Sequence, residues 1–467
     1  MTRIEPTDDK LISLKNDTQA LSHFLQNENN KNISRLLEKF GRLNNNNSKE
    51  PLLYILKNNK TESIRVLAIK NLAKLSDISL LDVFVQTARN DQSTEVRKEA
   101  VSAIGRLRNE KTINILKSFL QDHDPKIILQ AIRGLMVFAK KNNIKDSLKP
   151  LSQHSNEIIK EVIEKIIKSN VVEKKIIQDH DKVYHFLKNK IVLGDVQKIL
   201  LNIPDDSIHL TFTSPPYYNA RDYSIYTSYQ DYLNFLEKVF KEVHRITKHG
   251  RFFVLNTSPI IMPRVSRAHS SKRYPIPYDI HPLLVKMGWE FIDDIVWLKP
   301  EASVKNRNAG FLQHRKPLGY KPNAITEMLM VYRKKTDKLI DWNMRQYNDE
   351  KTTKSKILDD YETSNVWNID PTFDKVHSAV FPIKLCKKVI QYYSFIDDVI
   401  FDPFAGSGTL GRAAAMLDRY FFLTEKEPKY FQSIKDHFTK ITPSSKTNPQ
   451  FLKQNDFVNL IKNHNEN

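Results

Sequence analysis

The chain has 467 residues, 40% of them hydrophobic and 27% charged, which describes an ordinary globular protein long enough for several domains. Its net charge of +19 and pI near 9.5 favour a polyanionic partner, with nucleic acid ahead of an anionic membrane surface; a Lys-rich surface serving only solubility is the bland alternative. A single cysteine, Cys386, excludes an intrachain disulfide framework and a Cys-based zinc cluster, and no signal-like or bilayer-length apolar run occurs, so a reducing, cytoplasmic setting without membrane contact is expected.

Residues 1–50 are polar and Asn-rich, with a weak helical pattern over Ile33–Leu43 and then a loop. Residues 51–170 repeat. Ser63–Leu72 aligns with Glu95–Ile104 at an offset of 32, and further copies begin at Lys126-Ile127 and Glu157-Ile158, each 31 further on. Equivalent positions hold Ala68, Ala100, Ala131 and Val162, then Leu72, Ile104, Leu135 and Ile166, which makes one apolar helical face per copy. Shorter helical patterns, Leu80–Ala88 and Thr112–Leu120, lie between copies, and Asp91 and Asp124 sit in the turns. The period signals a helix-pair solenoid that resembles short HEAT-like repeats, serving as a partner or DNA surface or as a packing scaffold.

Residues 171–190 read as a linker helix. From 191 to about 440, strand-like runs at Ile208–Thr211, Phe252–Leu255, Asp294–Trp297, Glu327–Tyr332, Val399–Phe401 and Tyr420–Leu423 alternate with helical segments, the pattern of an α/β domain. The stretch 336–365 is polar, and 441–467 reads as a polar C-terminal tail.

Two segments of this domain carry chemistry. In the first, a buried strand runs through Asp402-Pro403-Phe404-Ala405-Gly406-Ser407-Gly408-Thr409 into a helix over Leu410–Leu417. Gly406 and Gly408 let backbone approach a ligand, and the helix start offers N–H groups. The next strand ends at Glu425, 17 residues past Gly408, close to the spacing at which an acid grips ribose hydroxyls. In the second segment, a strand ends in Thr213-Ser214-Pro215-Pro216-Tyr217-Tyr218. Two prolines stop the strand and donate no backbone hydrogen bond, which leaves loop carbonyls as acceptors for an exocyclic amine. The Ser214 hydroxyl and Pro215 carbonyl can hold that amine, and Tyr217 offers a face to a base out of its stack.

Together these segments resemble the permuted, β-group amino-methyltransferases of DNA, in which the catalytic motif precedes the AdoMet motif. Gly194-Asp195 resembles the family's segment beside the cofactor adenine, and Val366–Ile369 with His377–Pro382 resembles the segment that packs on the cofactor. Glu425–Tyr430 and Ile295–Pro300 resemble two further family stretches, whereas Thr424 and Ser378 stand where the family often has Gly and Pro. The resemblance covers about 190–435, within which the polar stretch 336–365 is a candidate target-recognition insert. It implies a Rossmann-like AdoMet methyltransferase domain with a mixed, mostly parallel sheet behind the all-α solenoid. It implies S-adenosyl-L-methionine as cofactor, held by Asp195, Phe381, Pro382, Asp402, Pro403, Phe404, Ala405, Gly406, Ser407, Gly408, Thr409 and Glu425, and catalysis by Ser214, Pro215, Pro216 and Tyr217.

Methylation at cytosine C5 needs a cysteine nucleophile, and Cys386 sits in a basic helical stretch without a Pro-Cys loop. Amino methylation needs only in-line attack by a flipped, hydrogen-bonded amine. Serine at 214 resembles the cytosine-N4 members of the family, and adenine-N6 is the alternative. Duplex DNA is the expected partner, contacted by Arg264, Arg267, Lys272, Arg273, Lys305, Arg307, Arg315 and Lys316 within the basic runs 251–275 and 299–335. A restriction–modification setting with a cognate endonuclease follows from the resemblance, and no metal site is expected. An RNA or protein methyltransferase, and a non-catalytic AdoMet-binding scaffold, are the competing readings.

Overall fold

A computed structural model describes residues 12–41, 43, 46–139, 144–168, 180–218, 226–262, 266, 268, 272–304, 317–318, 322–336, 338–374, 380–439 and 448–465. The chain divides into two compact units, Met1–Ile176 and Ile177–Asn467. Among the described residues no helix is long and apolar enough to cross a membrane.

The first unit is a stack of paired helices. Its inner helices, Glu62–Leu72, Thr94–Arg106 and Pro125–Met136, bury the expected positions Ala68, Ala100, Ala131, Leu72, Ile104 and Leu135. In the last copy, Glu157–Lys168, the buried residues are Ile159 and Ile163, while Ile158 is 53% exposed. The last repeat is therefore one residue longer than its sequence alignment suggests. The solenoid also starts earlier than expected. Helices Thr18–Asn27 and Asn30–Lys39 bury Leu21, Leu25, Ile33 and Leu37 in the same core, so most of the polar N-terminal segment is another repeat whose outer face is rich in Asn. The turn aspartates act locally. Asp91 accepts from the Ser93 N–H and pairs with Arg65 of the preceding copy, and Asp124 caps the helix that starts at Pro125.

The second unit is built on a nine-stranded sheet. In chain order the strands are β1 Lys190–Leu193, β2 Ile208–Thr213, β3 Thr247–Thr257, β6 Trp289–Leu298, β7 Thr326–Lys334, β8 Val366–Asn368, β9 Val399–Asp402, β10 Tyr420–Glu425 and β11 Gln450–Lys453; a separate hairpin pairs β4 Ile260–Met262 with β5 Lys272–Tyr274. The sheet order is β11-β1-β10-β9-β2-β3-β7-β6-β8, and only β7 runs against its neighbours. Alternate strand residues feed two apolar layers, because successive side chains point to opposite faces. Phe253, Phe401 and Phe422 join helices Tyr229–Ile246, Ile276–Met287 and Gln454–Asn465 on one face. Val254, Ile400 and Phe421 join helices Ile383–Tyr393, Thr409–Met416 and Pro428–Thr439 on the other.

Three expectations change here. The C-terminal tail is part of the domain: β11 pairs with β1, and Phe457 and Ile461 are buried beneath it. The end of the presumed linker, from His180, also belongs to the second unit, with Phe186 and Leu187 in its core. The first part of the candidate target-recognition insert, from Asn343 to Lys351, packs instead against the N-terminal ends of the parallel strands. Asn343 donates to the Gly250 carbonyl, Tyr347 donates to Asp398 at 2.9 Å, and Lys351 pairs with Asp181. That is the end of the sheet opposite the motifs. Several cations of the basic runs are internal as well. Arg251 pairs with Asp398 inside the core, Arg333 donates to the Gly250 and Lys338 carbonyls, and Lys334 holds Asp206 and the Thr247 carbonyl. Burial would raise the Asp398 carboxyl, but Arg251 overrides it and holds the group at about 2.

Candidate active site

The parallel strands deliver the motifs to one edge. β1 leads into Gly194-Asp195 and β2 into Ser214, β9 ends at Asp402 and β10 at Glu425, and β10, β9 and β2 are neighbours in the sheet. A cavity of about 540 Å³ opens there, within the range of small-molecule sites. It is lined by all four residues expected to act on the amine, Ser214, Pro215, Pro216 and Tyr217. It is also lined by Asp195, Phe381, Asp402, Pro403, Phe404, Ala405, Gly406, Ser407, Thr409 and Glu425.

Two residues expected at the cofactor do not line it. Gly408 has φ +70°, and a Cβ there would lie 2.8 Å from the Ile434 side chain. Its glycine serves the tight turn and the close packing of helix Pro428–Thr439. Pro382 caps helix Ile383–Tyr393, with its carbonyl accepting from Cys386 N–H. Cys386 itself is buried, which pushes its thiol pKa up and makes it a poor nucleophile.

The acids of the site are strongly held. Thr213 Oγ1 donates to Asp402 Oδ1 at 2.6 Å, and Phe404 N–H donates to the same oxygen at 3.0 Å. Gly406 N–H donates to Glu425 Oε2, and Glu427 N–H donates to Oε1, both at 2.8 Å. Burial nevertheless dominates and pushes both carboxyls up to about 7. Thr424, where the family often has Gly, donates its hydroxyl to the Pro403 carbonyl at 2.8 Å and so fastens the motif loop. Phe381 stacks on Phe212 at 4.6 Å. Asp195 uses its side chain to cap helix Val196–Leu200, and its backbone N–H donates to Gln454 at 3.0 Å.

The cavity contains residues to which the motifs did not point. Asn256, Trp297, Lys299 and Glu327 line it beside Ser214 and Tyr217. Glu327 pairs with Lys299 and accepts from Asn256 Nδ2 at 2.6 Å and from Tyr217 Oη at 3.3 Å. The sequence signal was faint. Lys299 closes the Trp-Leu-Lys-Pro strand end, and Glu327 is one of two acids in a basic run. Burial raises the Tyr217 phenol pKa, so it stays protonated.

Of the cations expected on DNA, Lys272 and Arg273 are exposed on the β4–β5 hairpin. Tyr274 of that hairpin meets Tyr218 of the motif loop with ring centroids 5.0 Å apart, so the hairpin adjoins the site. Arg264, Arg267, Lys305, Arg307, Arg315, Lys316 and Ser378 lie outside the described residues.

The arrangement fits a nucleoside-type ligand carrying a positive charge. Carboxyls at the ends of adjacent strands suit ribose hydroxyls and a cation, while Phe381, Phe404, Leu410 and Tyr430 supply apolar walls.

Comparison with known proteins agrees with this geometry. A DNA methylase family model matches residues 208–436, and a HEAT-repeat model matches 81–166. The Type II methyltransferase M.ScaI of Streptomyces caespitosus is 30% identical over 241 residues, 47% of this chain and 71% of that protein. The Type II beta methyltransferase M.BslI of Bacillus is 28% identical over 322 residues, and the match spans 63% of this chain but only 34% of that protein. Among solved structures, the PvuII cytosine-N4-specific DNA methyltransferase aligns with a TM-score of 0.41 at 19% identity, covering 59% of this chain and 94% of that one. By the extent and level of this similarity, the chain belongs to the N6/N4 family of DNA methylases.

Proposed function

We propose that the chain transfers a methyl group from S-adenosyl-L-methionine to the exocyclic amine of a base flipped out of duplex DNA, with cytosine N4 as the target. The observation that carries this reading is the joining of the two motifs: the Ser214-Pro215-Pro216-Tyr217 loop and the Asp402–Thr409 turn share one cavity, tied by the Thr213–Asp402 hydrogen bond.

When bound, the cofactor supplies an electrophilic methyl on a sulfonium. The chain's own residues do the rest. Glu425 would hold the ribose hydroxyls, and Asp195 and Phe381, which line the same cavity, would hold the adenine. The Ser214 hydroxyl and the Pro215 carbonyl accept hydrogen bonds from the amine, which draws electron density onto its nitrogen and aims its lone pair at the methyl. The prolines stiffen this loop, so the acceptors are fixed before the base arrives. No nucleophilic cysteine is required, in keeping with the inert position of Cys386.

Serine at 214 supports cytosine over adenine. A place in a restriction–modification pair is proposed on the names of the Type II relatives.

The experiment is nucleoside mass spectrometry on unmethylated duplex DNA incubated with the protein and AdoMet, with Ser214→Ala as control. N4-methylcytosine that disappears in the variant supports the reading. N6-methyladenine keeps the chemistry and overturns the base. No methylated base on DNA of diverse sequence, with AdoMet binding demonstrated, overturns the function and points to RNA or to a scaffold.

A further inference from the structure

The proposed chemistry uses Ser214 as a hydrogen-bond acceptor, but a serine hydroxyl in isolation has no preferred orientation. What surrounds Ser214 restricts it. Tyr217 Oη lies within hydrogen-bonding reach of the Ser214 and Ser258 hydroxyls and donates its own proton to Glu327 Oε2 at 3.3 Å. Asn256 Nδ2 donates to the same carboxylate oxygen at 2.6 Å and lies 3.4 Å from Ser214 Oγ. The other oxygen of Glu327 is taken by Lys299.

Three strands therefore converge on one carboxylate. Asn256 comes from β3, Glu327 from β7 and Lys299 from the residue after β6. A cross-strand ion pair could serve only to clamp β6 to β7. Two features say more. The pair is open to the cavity, where both members line the wall beside Ser214. The remaining oxygen of Glu327 is occupied by two donors that each reach Ser214, one of them Tyr217 of the motif loop. Asn256 Oδ1 is buried with no hydrogen-bond partner among the described residues, so the amide is oriented by its donor side, toward Glu327 and Ser214.

We infer that Glu327, paired with Lys299, is a positioning residue that orients the Ser214 hydroxyl for the target amine through Tyr217 and Asn256; the inference rests on the proposed amine methylation. The direction of the hydrogen bonds follows. Tyr217 must donate to Glu327, because a carboxylate accepts only. Its oxygen is then the acceptor for the Ser214 O–H. Asn256 Nδ2 donates to one lone pair of Ser214 Oγ, which leaves the other for the target amine, and each donor in the chain strengthens the next acceptor. Glu327 touches neither reacting atom. It forms no bond and takes up no proton, and its effect is on the orientation of a group that does touch substrate.

The test uses the full-length protein and three variants: Glu327→Gln, Tyr217→Phe and the double variant. Single-turnover methyl transfer to duplex DNA and AdoMet affinity are measured for each. Glu327→Gln keeps the shape but presents a donor where Asn256 and Tyr217 need an acceptor. The expected result is a fall in single-turnover rate of about tenfold to a hundredfold, the scale of a misplaced reacting group, with AdoMet Kd within about twofold of wild type. Tyr217→Phe keeps a stacking face and the ion pair, and should lose a similar factor. The double variant should be no slower than the slower single one, because both changes cut the same chain.

A clamp alone would lower the melting temperature of Glu327→Gln and leave the rate of the folded enzyme unchanged, and that result overturns the inference. So do losses that multiply in the double variant. If Glu327→Gln does not fold, a wild-type rate in Tyr217→Phe overturns it and a reduced rate at unchanged AdoMet affinity supports it. A wild-type protein that methylates no DNA overturns the function itself, and this inference with it, which separates the two failures.

Discussion

Thr213 Oγ1 donates a 2.6 Å hydrogen bond to Asp402 across 189 residues of sequence, joining the last residue of β2 to the last residue of β9. This contact fixes the amine-binding loop relative to the cofactor turn, because each residue begins one of the two. Asp402 is buried, so the bond is part of what makes its carboxyl tolerable there. Thr213→Val keeps the shape and removes the donor. Loss of a hydrogen bond to a buried acid should cost about 1–3 kcal/mol. The variant should therefore unfold at lower temperature and bind AdoMet more weakly. Calorimetric scans and titration check this, and unchanged values in both would show that the bond is incidental.

Glu425 makes the affinity for AdoMet depend on pH. Burial raises its carboxyl to about 7, well above an exposed glutamate. A cationic ligand with ribose hydroxyls prefers the ionised form. Below the raised pKa the site must lose a proton to bind, so affinity should fall as pH drops from 8 through 7 to 6, by up to about tenfold per unit. Above that range it should level off. Asp402, also raised to about 7, acts in the same direction. Titration calorimetry in buffers of different ionisation enthalpy should show proton release on binding at pH 6 to 7, and Glu425→Gln should bind weakly with a flatter profile. Affinity that is constant from pH 6 to 8 would mean that the acid does not change protonation at the ligand.

Much of this architecture was legible in the residues, for identifiable reasons. β2, β3, β6, β7, β9 and β10 each contain several large apolar residues, and most except β6 are largely buried, so their signal survives in one sequence. β1 and β11 are short, and β11 pairs on one side only, with an apolar core of just Phe451 and Leu452; such a strand is hard to tell from a tail. The first repeat was hidden because Asn residues flank its apolar anchors. In the site, motif residues declare themselves by local spacing. Asn256, Lys299 and Glu327 do not, because only the pairing of β3, β7 and β6 brings them together. For the same reason Arg251, Arg333 and Lys334 read as surface cations although their partners lie inside the fold.

Gly408 illustrates how a motif glycine can serve packing instead of a ligand. Its φ of +70° and its contact with Ile434 leave no room for a side chain. Gly408→Ala should destabilise the catalytic unit by about 1–3 kcal/mol, from strain in the left-handed region and from the clash. Adding Ile434→Val should recover only the part due to the clash. AdoMet affinity of the folded variant, at a temperature well below its transition, should stay near wild type. A loss of affinity larger than any shift in the melting transition would return Gly408 to the ligand site.

The repeat unit carries charge at positions that suit a polyanion. Lys74 and Arg106 are exposed at the C-terminal ends of successive inner helices, one repeat period apart. Burial lowers the Lys74 pKa, and the neighbouring charges of Arg106 and Lys15 lower it further, so added negative charge nearby is favourable. Arg106 pairs with Glu99, Lys74 donates to Asn71, and cations at helix C-termini also satisfy the helix dipole, which is reason enough for their presence without a polyanion. The two roles differ in salt dependence. If this edge meets DNA phosphates, Lys74→Ala with Arg106→Ala should reduce the slope of log affinity against log salt by about one to two, since each phosphate contact contributes about 0.9. Methyl transfer to a saturating short duplex should change little, because the cavity of the catalytic unit is untouched. An unchanged slope would assign these cations to the helix ends alone and leave DNA binding to the catalytic unit.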